Sequence, residues 1–237
     1  MDASPLPPLS SGYMRDDSSL PVRVLRASDF PDGPPLGPGV CGLDEAGRGP
    51  LAGPVYAAAC VLPADFPLGC LDDSKALSER RREAAFGLIV EASLAWAIDW
   101  ATPFEIDTVN ILEASMLAMR RAYASVEASL AAAGRRGAPE EVYVDGNRDP
   151  RLGRPAHPVV KGDAIVPAIM AASILAKVAR DRAMLRFDWL YPEYGYAGHK
   201  GYPTAAHRET CLRLGPSPIQ RLSFRCEAGG KAGKAPA

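Results

Sequence analysis

Three short apolar runs in this chain each end at an acid beside glycine, and that pattern narrows what the chain can fold into. Val40-Cys41-Gly42-Leu43 stops at Asp44-Glu45. Val142-Tyr143-Val144 stops at Asp145-Gly146, and Val159-Val160 runs out at Lys161-Gly162-Asp163. Brief apolar runs bounded by glycine and acids read as buried strands. Val55 to Leu62 and Leu94 to Ala101 supply two more. Helical stretches lie between and after them. Ser78 can cap a helix to about Glu91, and Ile111 to Ala133 forms a long one ended by Gly134. Pro167 sits in the first turn of a helix through about Trp189, where proline is tolerated. Ala205 to Leu214 is a last helix closed by Gly215. The order predicts an α/β sheet with helices packed against it.

Both ends of the chain read differently. Residues 1 to about 38 carry eight prolines with much Ser, Gly and Asp and no apolar period, so a disordered leader is expected there. The tail 227–237, rich in Gly, Lys and Ala, reads as flexible. The folded body is expected over 39–226. Asp2 and the lack of an apolar run near Met1 exclude a secretory signal, and no stretch is long and apolar enough to span a membrane. The cytoplasm is therefore the expected compartment. Cys41, Cys60, Cys70, Cys211 and Cys226 are odd in number and widely spaced, which argues against a disulfide framework or a zinc site.

Net charge is −1, yet it divides unevenly: residues 1–147 carry −9 and residues 148–237 carry +8. A basic half of this kind hints at contact with nucleic acid, although basic helix faces are more often simply solvated.

The acids carry the chemistry. Carboxylates at strand ends can gather at the sheet edge where α/β proteins bind ligands. Crowded carboxylates repel, and a divalent cation with a taste for hard oxygen, Mg²⁺ or Mn²⁺, offsets the repulsion. Two such ions about 3.5–4 Å apart can clamp the attacking and leaving oxygens of a phosphodiester. Competing chemistries lack their signatures: the chain has no G-x-S-x-G, no phosphate-binding lysine loop and no dinucleotide fingerprint. A single acid at a strand end is more often a turn former. Neighbouring Asp44 and Glu45 should point to opposite strand faces, so a shared site calls for a bend or bulge there. Gly47-Arg48-Gly49-Pro50 can bring backbone groups close to a ribose 2′-OH, or can be just a tight connection. In Gly198-His199-Lys200-Gly201-Tyr202-Pro203-Thr204, Tyr202 can stack on a sugar or base and Lys200 can meet a phosphate, where surface packing is the plainer alternative.

The stretch from Gly42 to Val55, Gly-Leu-Asp-Glu-Ala-Gly-Arg-Gly-Pro-Leu-Ala-Gly-Pro-Val, resembles the signature of bacterial ribonuclease HII. Five later blocks match the family in order: Asp73-Ser74-Lys75, Val144-Asp145-Gly146, Lys161-Gly162-Asp163-Ala164, Ala171 to Asp181, and His199 to Thr204. The resemblance covers about 39–226. It implies a ribonuclease H-like fold, a central five-stranded mixed sheet flanked by helices with a helical C-terminal extension. It implies endonucleolytic cleavage of RNA in RNA–DNA hybrids and at single ribonucleotides in duplex DNA, by two Mg²⁺ or Mn²⁺ ions, leaving 5′-phosphate and 3′-hydroxyl ends. The family's metal-binding acids fall on Asp44, Glu45, Asp145 and Asp163, its ribose-sensing loop on Gly47, Arg48 and Gly49, and its junction-reading tyrosine on Tyr202. Ser74, Lys75, Lys177 and Arg180 fall on blocks near the nucleic acid. A monomer working away from membranes is expected.

One departure stands near the C-terminus. The family often has His-Arg-Arg-Ser-Phe where this chain has Gln220-Arg221-Leu222-Ser223-Phe224. That segment also resembles, faintly, a sliding-clamp peptide, with nothing else in the sequence to support it. Two other readings fit the acids: another metal-dependent nuclease with the same sheet, and a non-catalytic hybrid-binding protein. The second gains nothing from acids facing phosphates.

Overall fold

The computed structural model describes residues 23–71, 77–135 and 139–225. Five strands form one sheet: β1 (Val40–Ala46), β2 (Val55–Val61), β3 (Ala95–Ala101), β4 (Glu141–Asp145) and β5 (His157–Val159), in the order β3-β2-β1-β4-β5. The β1–β2 and β2–β3 pairs are antiparallel, while β1–β4 and β4–β5 are parallel. The helices are α1 (Glu79–Ala92), α2 (Pro103–Val109), α3 (Ile111–Ala132), α4 (Pro167–Leu190), α5 (Tyr196–His199) and α6 (Ala205–Leu214). All five expected strands and the four expected helices are present within a residue or two of the sequence reading, except that β1 runs three residues past Leu43, through both acids to Ala46. α2 was not expected, although Thr102, Pro103 and Glu105 form a complete capping box with proline in the first turn.

Period-two alternation divides the sheet's side chains between two layers. Ala57 and Ala59 of β2, with Cys41 and Leu43 of β1, face α3 and pack on Ala118, Met119, Ala122 and Val126. Ala58 and Cys60 face the other way, onto Ala171, Ile174, Leu175 and Val178 of α4 and Ala85 and Ile89 of α1. Small residues along β2 let both helices lie close to the sheet. At Gly42 the approach is closest: any Cβ there would fall inside the backbone of Ala168 and Ile169 at the start of α4. That contact sets the height of α4 over β1. Two residues along a strand advance about 6.6 Å, and four to five along a helix advance about 6–7.5 Å. Ser173 therefore arrives opposite Asp44, as Ala168 and Ile169 lie opposite Gly42.

The expected disordered leader is contradicted over its described part. Leu25 forms a parallel bridge with Val159, donating to Pro158 O at 2.7 Å and accepting from Val160 N at 2.9 Å, so it extends the sheet beyond β5. Phe30 meets Tyr143 edge-on at 5.9 Å between ring centroids. The unpaired edge of β5 and two apolar side chains outweigh the local proline content. Among the described residues no helix is long and apolar enough to cross a membrane.

Candidate active site

Strand register gathers the acids. Leu43 of β1 pairs with Val144 of the parallel β4, so the next residues, Asp44 and Asp145, leave the paired region side by side. Asp145 lies opposite Val159 of β5, and the chain beyond turns back. Lys161 adopts a left-handed backbone (φ 58°) and the single 3₁₀ turn Gly162–Ala164 carries Asp163 under the strand ends. The Asp163 amide donates to Asp145 Oδ1 at 3.2 Å. One oxygen from each of Asp44, Asp145 and Asp163 lies within 4.8 Å of the others.

Asp44 is 3% exposed, and Asp163 is 8% exposed. Burial pushes the Asp44 carboxyl well above its usual range, and the charges of Glu45 and Asp145 push it further. A hydrogen bond from Ser173 and another from the Glu45 amide, at 2.7 Å to Oδ1, oppose that shift. Three hard-oxygen ligands crowded together, one of them uncomfortable as an anion, fit a divalent cation. Ser173 is a site residue that the sequence reading passed over, although it lies inside the Ala171–Asp181 block.

Of the bend or bulge expected at Asp44-Glu45, no bulge interrupts the strand. The β1–β2 ladder runs unbroken to Ala46↔Tyr56. Instead, β4 parts from β1 after Leu43, which opens one flank of the strand end. Asp44, Glu45 and Asp145 all line one open cavity of about 550 Å³ with Gly47, Arg48, Gly49, Ser173, Lys177 and Tyr202.

Beyond the acids the chain makes a tight turn. Gly47 has φ +97°, and a Cβ there would run into the Arg180 side chain. Arg48 extends outward, with Nη1 3.4 Å from Glu45 Oε1. Gly49 faces the Tyr202 ring, whose Cε1 would sit 3.8 Å from a Cβ built on it. Tyr202 is 42% exposed. Its turn is held from behind: His207 Nδ1 donates to Tyr202 O at 2.9 Å, and His199 Nδ1 accepts from the Gly201 amide at 3.1 Å. Burial keeps the His207 pKa below its ordinary value.

The basic residues divide. Lys177 lines the cavity and pairs with Asp181 at 2.8 Å. Lys200 Nζ turns back to Ala197 O at 2.7 Å and is not part of the cavity wall. Arg180, expected at the nucleic acid, is 1% exposed. Its Nε donates to Pro54 O, and Nη2 donates to Ala52 O and Lys200 O. It is thus engaged beneath the loop, with its Cζ 5.8 Å from the Tyr202 ring centroid. Ser74 and Lys75 lie outside the described residues.

The C-terminal segment closes the underside of the same loop. Arg221 is fully buried, and its guanidinium donates to the carbonyls of Gly47, Arg48, Pro50 and Gly53 at 2.6–3.0 Å. The segment is also tied to the loop through its backbone: Arg221 N donates to Leu51 O and Gly53 N donates to Ile219 O, both at 2.9 Å. Gln220 is buried, and Phe224 packs against the α3-side core.

The ribonuclease HII family model matches residues 41–227. A ribonuclease HII from Laribacter hongkongensis (strain HLHK9) is 54% identical over 198 residues, 81% of this chain and 96% of that protein. Among solved structures, the ribonuclease H2 from Pyrococcus horikoshii OT3 superposes with a TM-score of 0.63 at 28% identity, covering 79% of this chain and 94% of the other. The RNase HII of Archaeoglobus fulgidus, solved as a complex with PCNA, gives 0.61 at 25% identity over 81% and 97%. The five-stranded mixed sheet with its flanking helices is the ribonuclease H-like fold that the motifs implied. Family match, fold and buried acids agree: this chain belongs to the ribonuclease HII family and is a metal-dependent endoribonuclease of RNA–DNA hybrids.

Proposed function

We propose that the chain, besides cutting the RNA strand of hybrids, incises at single ribonucleotides embedded in duplex DNA, leaving 5′-phosphate and 3′-hydroxyl ends. The observation that carries the chemistry is the meeting of Asp44, Asp145 and Asp163 within 4.8 Å at the ends of three chain segments. Glu45, on the same cavity wall, completes the ligand set. When bound there, a pair of Mg²⁺ or Mn²⁺ ions supplies Lewis-acid stabilisation of the charge that develops on the phosphodiester.

The chain's own residues do the selecting. Gly47, Arg48 and Gly49 present backbone to the cavity and meet the ribose 2′-OH, the one group that separates RNA from DNA at a given position. Tyr202, across from Gly49, stacks on the sugar or base at the RNA-to-DNA junction. Lys177 and Arg48 offer positive charge to the flanking phosphates. Because sugar and backbone are read, cleavage depends little on base sequence. The proposal places the chain in the cytoplasm with its substrate, acting as a monomer. A clamp contact such as the PCNA complex of the Archaeoglobus relative would here need a surface other than 220–224, because Gln220 and Phe224 are engaged inside the fold.

One assay tests the whole reading: a DNA duplex with one embedded ribonucleotide, incubated with Mg²⁺, Mn²⁺ or chelator. Incision 5′ to the ribonucleotide, lost in chelator and in Asp145→Asn, is expected. Equal cutting of an all-DNA duplex would favour a general nuclease of this fold instead. Binding without incision in every metal would favour a hybrid-binding protein.

A further inference from the structure

We infer that Arg221, near the C-terminus, is the positioning residue that sets ribose discrimination, by aiming two backbone amides of the 47–53 loop at the 2′-OH. The inference rests on the reading of that loop as the ribose sensor and adds the device that holds it.

In a planar trans peptide the C=O of one residue and the N–H of the next point in opposite directions. Arg221 Nη2 binds Gly47 O at 2.6 Å, and Nη1 binds Arg48 O at 3.0 Å. Those two bonds draw the Gly47 and Arg48 carbonyls toward the interior. The paired N–H groups, of Arg48 and Gly49, must then face the opposite way, and both residues are exposed and line the cavity. Neither amide donates to any group among the described residues. Backbone donors without a protein partner are taken up by water or a ligand, and both residues line the cavity that Tyr202 also lines.

The choice of arginine follows from the geometry. Four carbonyls from one loop converge on Nε, Nη1 and Nη2, a fixed fork of planar donors. A lysine ammonium reaches such a spread only in part. The clamp is itself fastened. Asp107 of α2 accepts from the amides of Leu222 and Ser223 at 2.8 and 2.9 Å, and the Phe224 ring lies 5.1 Å from the Arg221 guanidinium carbon. Arg180 braces the loop's far side, and the Leu51 amide donates to Gly201 O at 2.8 Å, tying loop and Tyr202 turn together. Burial, with Arg180 close by, lowers the Arg221 pKa to about 9, so the fork stays charged at neutral pH.

The test uses the full chain with Mn²⁺ and a duplex carrying one ribonucleotide. Arg221→Lys should lower kcat/KM about 10- to 100-fold, the scale of a lost hydrogen bond to the ribose. The Mn²⁺ concentration for half activity should stay put. Hydrogen exchange should quicken at least about tenfold at residues 47–53 and remain unchanged in β1 and β4. Gly49→Ala, which narrows the gap to Tyr202, probes the ribose reading by itself: full activity there sinks the reading. Impaired Gly49→Ala beside a normal Arg221→Lys sinks only the inference. Faster exchange throughout the sheet in Arg221→Lys overturns it as well, since Arg221 would then serve the core. If that variant fails to fold, Asp107→Ala loosens the clamp from outside; it should speed exchange at 47–53 and lower kcat/KM, and wild-type values in both overturn the inference.

Discussion

Asp44 works against the fold that carries it, and replacing it should show by how much. Asp44→Asn keeps the volume, keeps an oxygen for the Glu45 amide and can still bond Ser173. It removes a charge that is 3% exposed and within 4.8 Å of the Asp145 and Asp163 oxygens. Two unit charges at that separation repel by roughly 3.5 kcal/mol at an effective dielectric near 20. Water in the cavity screens the more open Asp145, which trims the expected gain to about 2 kcal/mol. For a chain of this size that amounts to a rise of roughly 4–8 °C in Tm. The sign of the pH dependence follows from linkage. The folded pKa of Asp44 is raised, so its cost is present at neutral pH and vanishes below the unfolded value, near 3.8. Thermal unfolding in chelator at pH 7.5 and pH 4 is the assay, with a third scan in 10 mM Mg²⁺. In chelator the variant should melt above the wild type at pH 7.5, and the gap should shrink at pH 4. With Mg²⁺ the wild type should gain and the variant should not, while hybrid cleavage is lost. A variant no more stable than wild type in chelator, with an equal gain from Mg²⁺, would refute the repulsion argument.

Three other outcomes follow from the packing and the ionisable groups. Gly42→Ala should cost about 3 kcal/mol in urea unfolding, because its Cβ meets backbone at the start of α4, and it should cut cleavage by shifting Ser173 away from Asp44. Glu105, held down to about pKa 2 chiefly by Arg121 and also by its cap bonds to Thr102, should give stability that is present above pH 4.5 and lost as pH falls toward 2. Glu105→Gln should therefore remove about 1 kcal/mol at pH 7 and flatten that acid slope. His207 is buried and its pKa is lowered, so the unfolded chain takes up its proton first and stability should drop as pH falls below 6.5. His207→Asn, which keeps a donor for Tyr202 O, should melt with a weaker dependence between pH 7.5 and 5.5.

The strands, the long helices and the four acids were legible because their signals are local: an apolar run, a cap, a glycine after an acid. Convergence was legible only as a possibility, since it depends on the β1–β4 register, which pairs residues about a hundred positions apart. The way Asp44 and Glu45 share a cavity was misjudged for the same reason. A neighbouring strand that ends early does what a bulge was expected to do. α2 did carry a local signal, the Thr102–Glu105 capping box, but its seven residues lack an apolar period to draw attention. The burial of Arg180 was not legible because sequence shows a basic residue without its acceptors. Two of those acceptors, Ala52 and Pro54, are 128 and 126 residues away. Leu25 joined the sheet through a single pair of backbone bonds that no pattern in a proline-rich leader announces.

The scattered origin of the site bears on how the chain behaves while it is being made. A ribosome that has released β1 to β3 has exposed Asp44 and Glu45, but Asp145 and Asp163 are still to come. Even then the loop after β1 waits for Arg221, 174 residues beyond Gly47. A polypeptide that stops short of Asp163 thus holds no working blade, and cutting power appears only once the segment carrying Arg221 has closed upon the loop after β1.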